Sequence, residues 1–179
     1  STLMRSSAAS DVYKRQGFVT STGTQILFRS IRPDTEIRWF KYSLILNESL
    51  VRPYYAISSA VDLFTPDDIT INISEGVFDC MGIAYGLNEI KENTLNLATC
   101  GKFYGNMMKT MMQKGFVGNN IIYHIYADND GSEGTDIDYL RRTLTQYLPL
   151  TKTIYVHYNI LEKDCGVRSD RIKLKTYEL

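Results

Sequence analysis

The sequence predicts an α/β fold in which a mostly parallel sheet is flanked by helices and preceded by a small strand-rich subdomain. From Ile69 onward, β-rich runs alternate with segments whose apolar residues recur at helical spacing. Before residue 62 the apolar runs are short, alternate in polarity and lack a helical period. A chain of 179 residues, 44% apolar and with only four prolines, is long enough for one full core with a small attached module.

Residues 1–16 show no sustained period and read as a tail, a cloning or assembly remnant outside the fold. Residues 17–61 form the strand-rich module, with strands expected at Gly17–Thr20, Gln25–Arg29, Glu36–Tyr42 and Leu50–Ala56. Alternation puts Ile37, Trp39 and Lys41 on one face and Arg38, Phe40 and Tyr42 on the other. Arg29, Arg32, Arg38, Lys41 and Arg52 are interleaved with Trp39, Tyr42, Tyr54 and Tyr55, a mixture suited to phosphate contact and base stacking on single strands. Ordinary amphipathic strands with solvated charges give the same pattern.

Residues 62–179 carry the larger domain. Ile69–Ser74 is β-rich, and Val77, Cys80, Met81, Ala84 and Leu87 then mark a helix over Val77–Leu87. Thr94–Thr99 is the next strand. Tyr104, Met107, Met108, Met111 and Met112 mark a second helix ending near Gly115, its methionines on the buried face. Ile121–Ala127 is the most apolar strand, Ile137–Leu148 suits a third helix stopped by Pro149, and Thr153–Tyr158 is a fourth strand. Such alternation argues for parallel strands covered on both faces.

Twenty basic and twenty acidic residues cancel, which neither announces nor excludes a nucleic-acid protein. Removing Arg5, Asp11, Lys14 and Arg15 with the tail leaves 17 basic against 19 acidic residues, a slightly acidic body. Cys80, Cys100 and Cys165 have neither disulfide nor zinc-ligand spacing and read as reduced thiols. No run reaches the length of a membrane span and no secretion signal opens the chain, so a cytoplasmic protein without membrane contact is expected.

Two acidic points follow two of the strands: Glu75-Gly76 after Ile69–Ser74, and Asp128-Asn129-Asp130-Gly131 after Ile121–Ala127. If these are neighbouring parallel strands, three carboxylates meet at the edge where open α/β sheets bind ligands. On extended backbone Asp128 and Asp130 project from one face. Oxygen ligands of this kind suit magnesium bound together with substrate phosphate. Gly76 permits a tight turn into the helix. Acidic residues also favour helix starts for structural reasons, so either motif alone carries little weight. A calcium loop from Asp128 fails at Glu133 and Tyr139, which stand where a glycine and a bidentate glutamate are needed. A resemblance to the Asp-x-Asp-Gly-Ser signature of haloacid dehalogenase-type phosphatases leaves too little chain after Gly131 for that family's later residues.

The runs Ile71–Tyr85, with Glu75-Gly76-x-x-Asp79, Leu95–Gly101 and Ile125–Gly131 together resemble the Toprim domain shared by bacterial-type and phage primases, topoisomerases and some nucleases. The Glu-Gly-x-x-Asp pattern before a long apolar helix, with Lys163-Asp164 after the fourth strand, is most similar to DNA primases. The resemblance spans residues 69–165 and implies a Toprim-type sheet. It implies Glu75, Asp128 and Asp130 as catalytic residues, and Glu75, Asp128, Asp130, Asp79 and Asp164 as the acidic pocket for Mg²⁺, with Mn²⁺ as substitute. Arg38, Lys41, Arg52 and Lys163 become contacts for template or triphosphate. The implied activity is synthesis of short RNA primers on single-stranded DNA from nucleoside triphosphates, with a replicative helicase supplied in trans or by further sequence. The last motif departs from the family, continuing as Cys165-Gly-Val-Arg-Ser-Asp170, and on this reading the catalytic core is truncated at its C-terminal end. The stretch holds neither a four-ligand zinc module nor a helicase phosphate loop. A non-catalytic nucleic-acid-binding or assembly module and a nuclease or topoisomerase fragment are the alternatives; a topoisomerase needs a tyrosine nucleophile, and none of the thirteen tyrosines has a recognisable setting.

Overall fold

The computed structural model describes residues 15–20, 23, 25–31, 39–43, 54–58 and 60–179. The tail before residue 15 and the candidate contacts Arg32, Arg38 and Arg52 lie outside the described residues, and Lys41 is placed by its backbone alone. The chain divides into two compact units, Ser1–Pro53 and Tyr54–Leu179.

The first unit holds a three-stranded antiparallel sheet in the order β1 (Arg15–Val19), β2 (Gln25–Ser30), β3 (Trp39–Ser43). Its first strand takes in Arg15 and Gln16, which sequence pattern alone sets with the tail; they pair with Ser30 and Arg29. Thr20 closes the β1–β2 connection, its N–H donating to the Gln25 carbonyl at 3.0 Å.

In the second unit six strands lie in the order β4 (Tyr55–Ser58), β6 (Thr94–Ala98), β5 (Ile69–Ser74), β7 (Ile121–Ala127), β8 (Thr153–Asn159), β9 (Leu174–Glu178). The four inner strands are parallel, and the two edge strands run antiparallel to their neighbours. The α/β class with a mostly parallel, helix-flanked sheet is thus as the alternating pattern predicts. β4 differs: expected within the strand-rich module, it hydrogen-bonds to β6 instead. β9 follows a loop whose sequence carries no periodic signal.

Isoleucines fill one face of the sheet. Ile69, Ile71, Ile73, Leu97, Tyr123, Ile125, Ile154 and Val156 are fully buried beneath two helices, α2 (Tyr104–Gln113) and α3 (Ile137–Leu144). Tyr104, Met107, Met108 and Met111 come from α2 and Leu140 and Leu144 from α3, so the methionine stripe is core. Asp136 caps α3 by accepting the N–H groups of Asp138 and Tyr139, both at 3.0 Å. The α-helix ends at Leu144 rather than Leu148 and continues as a 3₁₀ segment over Thr145–Leu150. Pro149 lies inside that segment, where it lacks an N–H and its ring would crowd the carbonyl four residues back.

The opposite face is unusually polar. Asn72 donates to Asn96 at 2.8 Å, and Asn96 donates to the Glu89 carbonyl at 2.9 Å. On the next strands His124 Nδ1 and His157 Nε2 are 2.8 Å apart, and His157 Nδ1 lies 2.8 Å from Thr176 Oγ1. Burial, then the neighbouring His124, pushes His157 down to about 3. This face is covered by α1 (Val77–Met81) and the π-helical turn Gly82–Gly86, whose Ile83 packs with Tyr126 and Cys165. The continuous helix expected over Val77–Leu87 is therefore broken by a widened turn, in which the Leu87 N–H donates to the Gly82 carbonyl. Gly82 is required there: a Cβ at this position would lie 1.9 Å from the carbonyl oxygen of Cys165. Among the described residues no helix is long and apolar enough to cross a membrane.

Candidate functional site

β6 lies on one side of β5, whereas the later parallel strands β7 and β8 lie on the other. Connections from the carboxyl ends of β5 and β7 therefore part in opposite directions and leave a crevice, the position at which open α/β sheets offer a ligand site. Glu75 is the first residue after β5 and Asp128 the first after β7, with Ser74 and Tyr126 register partners. The adjacency that the sequence reading requires of these two carboxylates is present.

Local chemistry fixes each group. After Glu75 the chain turns at Gly76, whose N–H donates to Asp79 Oδ2 at 2.9 Å. A Cβ on Gly76 would fall 2.7 Å from that same oxygen, which explains why glycine stands between Glu75 and a carboxylate that folds back from the first helical turn. Lys102 reaches in from the loop after β6, donating to Asp130 Oδ2 and Ser132 Oγ, each at 2.5 Å. From the loop after β8, Lys163 Nζ lies 3.2 Å from Asp128 Oδ2 and 3.9 Å from Asp130 Oδ2. The Asn129 N–H donates to the Lys163 carbonyl at 2.5 Å, tying the two loops together.

The long loop that presents Lys163 and Asp164 is held by Asn159, which is fully buried at the end of β8. Its amide donates to the carbonyls of Asp164 and Arg171, at 2.8 and 3.0 Å, and its oxygen accepts from the N–H groups of Leu161 and Lys173, at 3.2 and 3.1 Å. All four hydrogen-bonding sites of the side chain are thus engaged. Gly166 then rests on α1, where a Cβ would be 3.0 Å from Phe78 Cβ and 3.1 Å from Asp79 Oδ1.

The carboxylates are not equivalent. Glu75 Oε2 is buried and finds no hydrogen-bond partner among the described residues. Burial raises the Glu75 carboxyl above its ordinary value, and the Asp128 charge adds to this against Lys102 and Lys163. Burial raises Asp128 too, opposed by the hydrogen bond and charge of Lys163. Asp79 is pushed up to about 7 by burial first and then by Asp164 and Asp128, against the N–H groups of Gly76 and Gly166. Asp130 moves the other way: the Lys102 ammonium holds it well below the usual range, with Ser132 and Thr135 assisting. Strand β7 ends at Ala127, so Asp130 does not continue an extended face with Asp128. It sits in a turn whose Ser132 N–H and Thr135 hydroxyl donate to Oδ1, at 3.0 and 2.9 Å.

Of the residues the sequence singles out, Glu75, Asp79, Asp128, Asp130, Lys163 and Asp164 meet at this edge. Lys41 belongs to the other unit, and Arg38 and Arg52 lie outside the described residues. Sequence reasoning missed Lys102, Asn159 and Tyr104. Lys102 follows directly on the run Leu95–Gly101, and a lysine just beyond the carboxyl end of a parallel strand was the available signal. Tyr104 opens α2 with its hydroxyl buried, where Glu75 and Asp128 add to the burial that raises it.

The donor chemistry fits a hard divalent cation, because an unpartnered buried carboxylate oxygen beside a second buried carboxylate gains most from one. A preformed cage is a different matter: among the described residues no three His, Cys, Asp or Glu side chains converge as a metal-holding group. A cation held here would need to keep several waters or share its shell with a ligand.

No family model matches the chain, and no curated protein or solved structure gives a significant match.

Proposed function

We propose that residues 54–179 form a Toprim-type module whose switch-point crevice carries out divalent-cation-dependent nucleotidyl transfer of the primase kind, making short RNA primers on single-stranded DNA. The observation that carries this reading is the pair Glu75 and Asp128 at the carboxyl ends of adjacent parallel strands, with Glu75 Oε2 buried and unpartnered among the described residues. Mg²⁺, or Mn²⁺ in its place, would be held by Glu75 and Asp128 with Asp130, Asp79 and Asp164 around them, and would supply charge neutralisation at the triphosphate.

The chain's own groups do the rest. Lys102 and Lys163 bring two cations to the same edge and can meet the phosphates of an incoming nucleotide. In the transfer, a 3′-hydroxyl oxygen forms a bond to the α-phosphorus while the bond to pyrophosphate breaks. Glu75 would complete the cation's shell or assist transfer of the hydroxyl proton. Single-stranded DNA and nucleoside triphosphates are the substrates, and Arg38, Lys41 and Arg52 are the proposed template contacts.

The test is incubation with labelled nucleoside triphosphates, single-stranded DNA and Mg²⁺ or Mn²⁺, scored for short RNA. Parent protein should make product and Asp128→Asn should not. Relaxation or nicking of supercoiled plasmid without primer synthesis would replace this reading with a nuclease or topoisomerase function. DNA binding without product in either metal would replace it with a non-catalytic module.

A further inference from the structure

A cavity of about 380 Å³ opens beside the acidic edge, with Asp128 and Asn129 in its wall. Its apolar surfaces come from Tyr158, Tyr177, Ile137 and Ile160, and Lys175 adds a cation. The walls are set by the fold. Tyr158 donates its hydroxyl to the Thr135 carbonyl at 2.5 Å, which fixes its ring. The Tyr158 and Tyr177 rings are perpendicular, centroids 6.0 Å apart at 86°, and Lys175 Nζ lies 4.9 Å from the Tyr177 centroid. Asp136, also in the wall, is already engaged as the cap of α3.

The volume falls at the lower end of the range for small-ligand sites, about 300–1,000 Å³, which suits a single nucleoside-sized group. A wholly apolar ligand would desolvate Asp128 and Lys175 without compensation, and a small polar ion would leave the tyrosine and isoleucine walls unused. A flat ring with polar edges meets both requirements: its face lies against aromatic and aliphatic surface and its edge atoms face charged groups. Asp128 joins the cavity to the crevice, so a group bound here can remain attached to phosphates at the carboxylates.

We propose that this cavity is a nucleobase pocket, receiving the base of the nucleotide whose phosphates meet the Glu75 and Asp128 edge, with Tyr177 as the principal stacking surface. The inference rests on the nucleotidyl-transfer reading of that edge and adds the substrate's base as a recognised element.

Equilibrium dialysis of the full chain in Mn²⁺ separates the two ideas, using ATP, GTP, CTP and UTP against inorganic tripolyphosphate. Nucleotides should bind more tightly than tripolyphosphate. Tyr177→Ala should weaken nucleotide binding by about 5- to 150-fold, the range expected for loss of one base–aromatic stack, and leave tripolyphosphate binding unchanged. Tyr177→Phe should retain the parent's preference. If Tyr177→Ala does not fold, Ile160→Trp at the exposed mouth serves instead, since it should obstruct nucleotides and spare tripolyphosphate. Equal binding of nucleotides and tripolyphosphate by the parent overturns the pocket and leaves the phosphate and metal site standing. Failure of both to bind overturns the nucleotidyl-transfer reading and the pocket with it.

Discussion

Replacing Asp79 by asparagine should stabilise the protein at alkaline pH and do progressively less as the pH falls. Asp79 is 8% exposed, and burial with the nearby Asp164 and Asp128 moves its carboxyl from 3.8 up to about 7. Between those values the folded chain binds a proton that the unfolded chain does not, so stability falls as pH rises through the interval. The stabilisation is complete below 3.8 and gone above about 7. A shift of roughly three units corresponds to about 4 kcal/mol over the whole interval, of which about 3 kcal/mol falls between about pH 5 and neutrality. Asparagine keeps an oxygen for the Gly76 N–H, now at 2.9 Å, and carries no charge to desolvate. Urea unfolding of parent and Asp79→Asn in chelator, at about pH 5 and about pH 8.5, should therefore show the variant's advantage growing by about 3 kcal/mol. An advantage that stays constant or shrinks with rising pH would refute the claim that Asp79 is forced to ionise in a buried anionic setting. Mn²⁺ added at the higher pH should narrow the gap by stabilising the parent's ionised carboxylates.

The histidine pair predicts the opposite limb. His157, held down at about 3, gives stability that is present above 6.5 and lost as pH falls from 6.5 toward 3; His157→Gln should flatten that acid limb in urea titrations. Asn159→Ala leaves four backbone groups without their partner and should cost on the order of 3 kcal/mol. Hydrogen exchange should then accelerate at the amides of Leu161 and Lys173 if Asn159 is the anchor of that loop. Gly82→Ala, with its Cβ 1.9 Å from the Cys165 carbonyl oxygen, must displace the loop that follows Lys163. A loss of roughly 1–3 kcal/mol by thermal unfolding, accompanied by weaker Mn²⁺ binding, is expected; parent-like Mn²⁺ affinity would separate that contact from the site.

The parallel strands were legible because burial on both faces demands what the sequence displays, as in Ile69-Thr-Ile-Asn-Ile-Ser74 with five of six residues buried. Ile121–Ala127 and the methionine stripe of α2 follow the same logic of local period and burial. The π turn after Met81 was not legible, since its Gly82 meets a loop more than eighty residues away in sequence. β4 and β9 are edge strands paired on one side only, and their weak patterns do not reveal which sheet they join. In the site, the sequence placed Glu75 and Asp128 at the ends of two separate strands, but Lys102 and Asn159 act through partners brought together by topology. Lys102 offered only its place just beyond the carboxyl end of a strand, and Asn159 carries no motif that distinguishes it from a surface residue. The His124–His157 contact was hidden for the same reason, two single residues on neighbouring strands offset by two positions in register.

An aspartate pair two residues apart reads in sequence as one bidentate unit, yet the fold gives its members different work. Asp128 leaves the end of β7 buried, with its proton affinity raised and Lys163 beside one oxygen. Asp130, in the turn beyond, has both oxygens engaged by Lys102, the Ser132 N–H and Thr135. Coordinating capacity therefore concentrates at Glu75 and Asp128, and Asp130 acts first by fixing where Lys102 stands. Lys102 competes with a cation for Asp130 Oδ2, and a phosphate is a group well able to receive its ammonium. On the proposed function, Glu75 and Asp128 would hold the cation, a substrate phosphate would be the group able to receive Lys102, and Asp130 would then be free to join them.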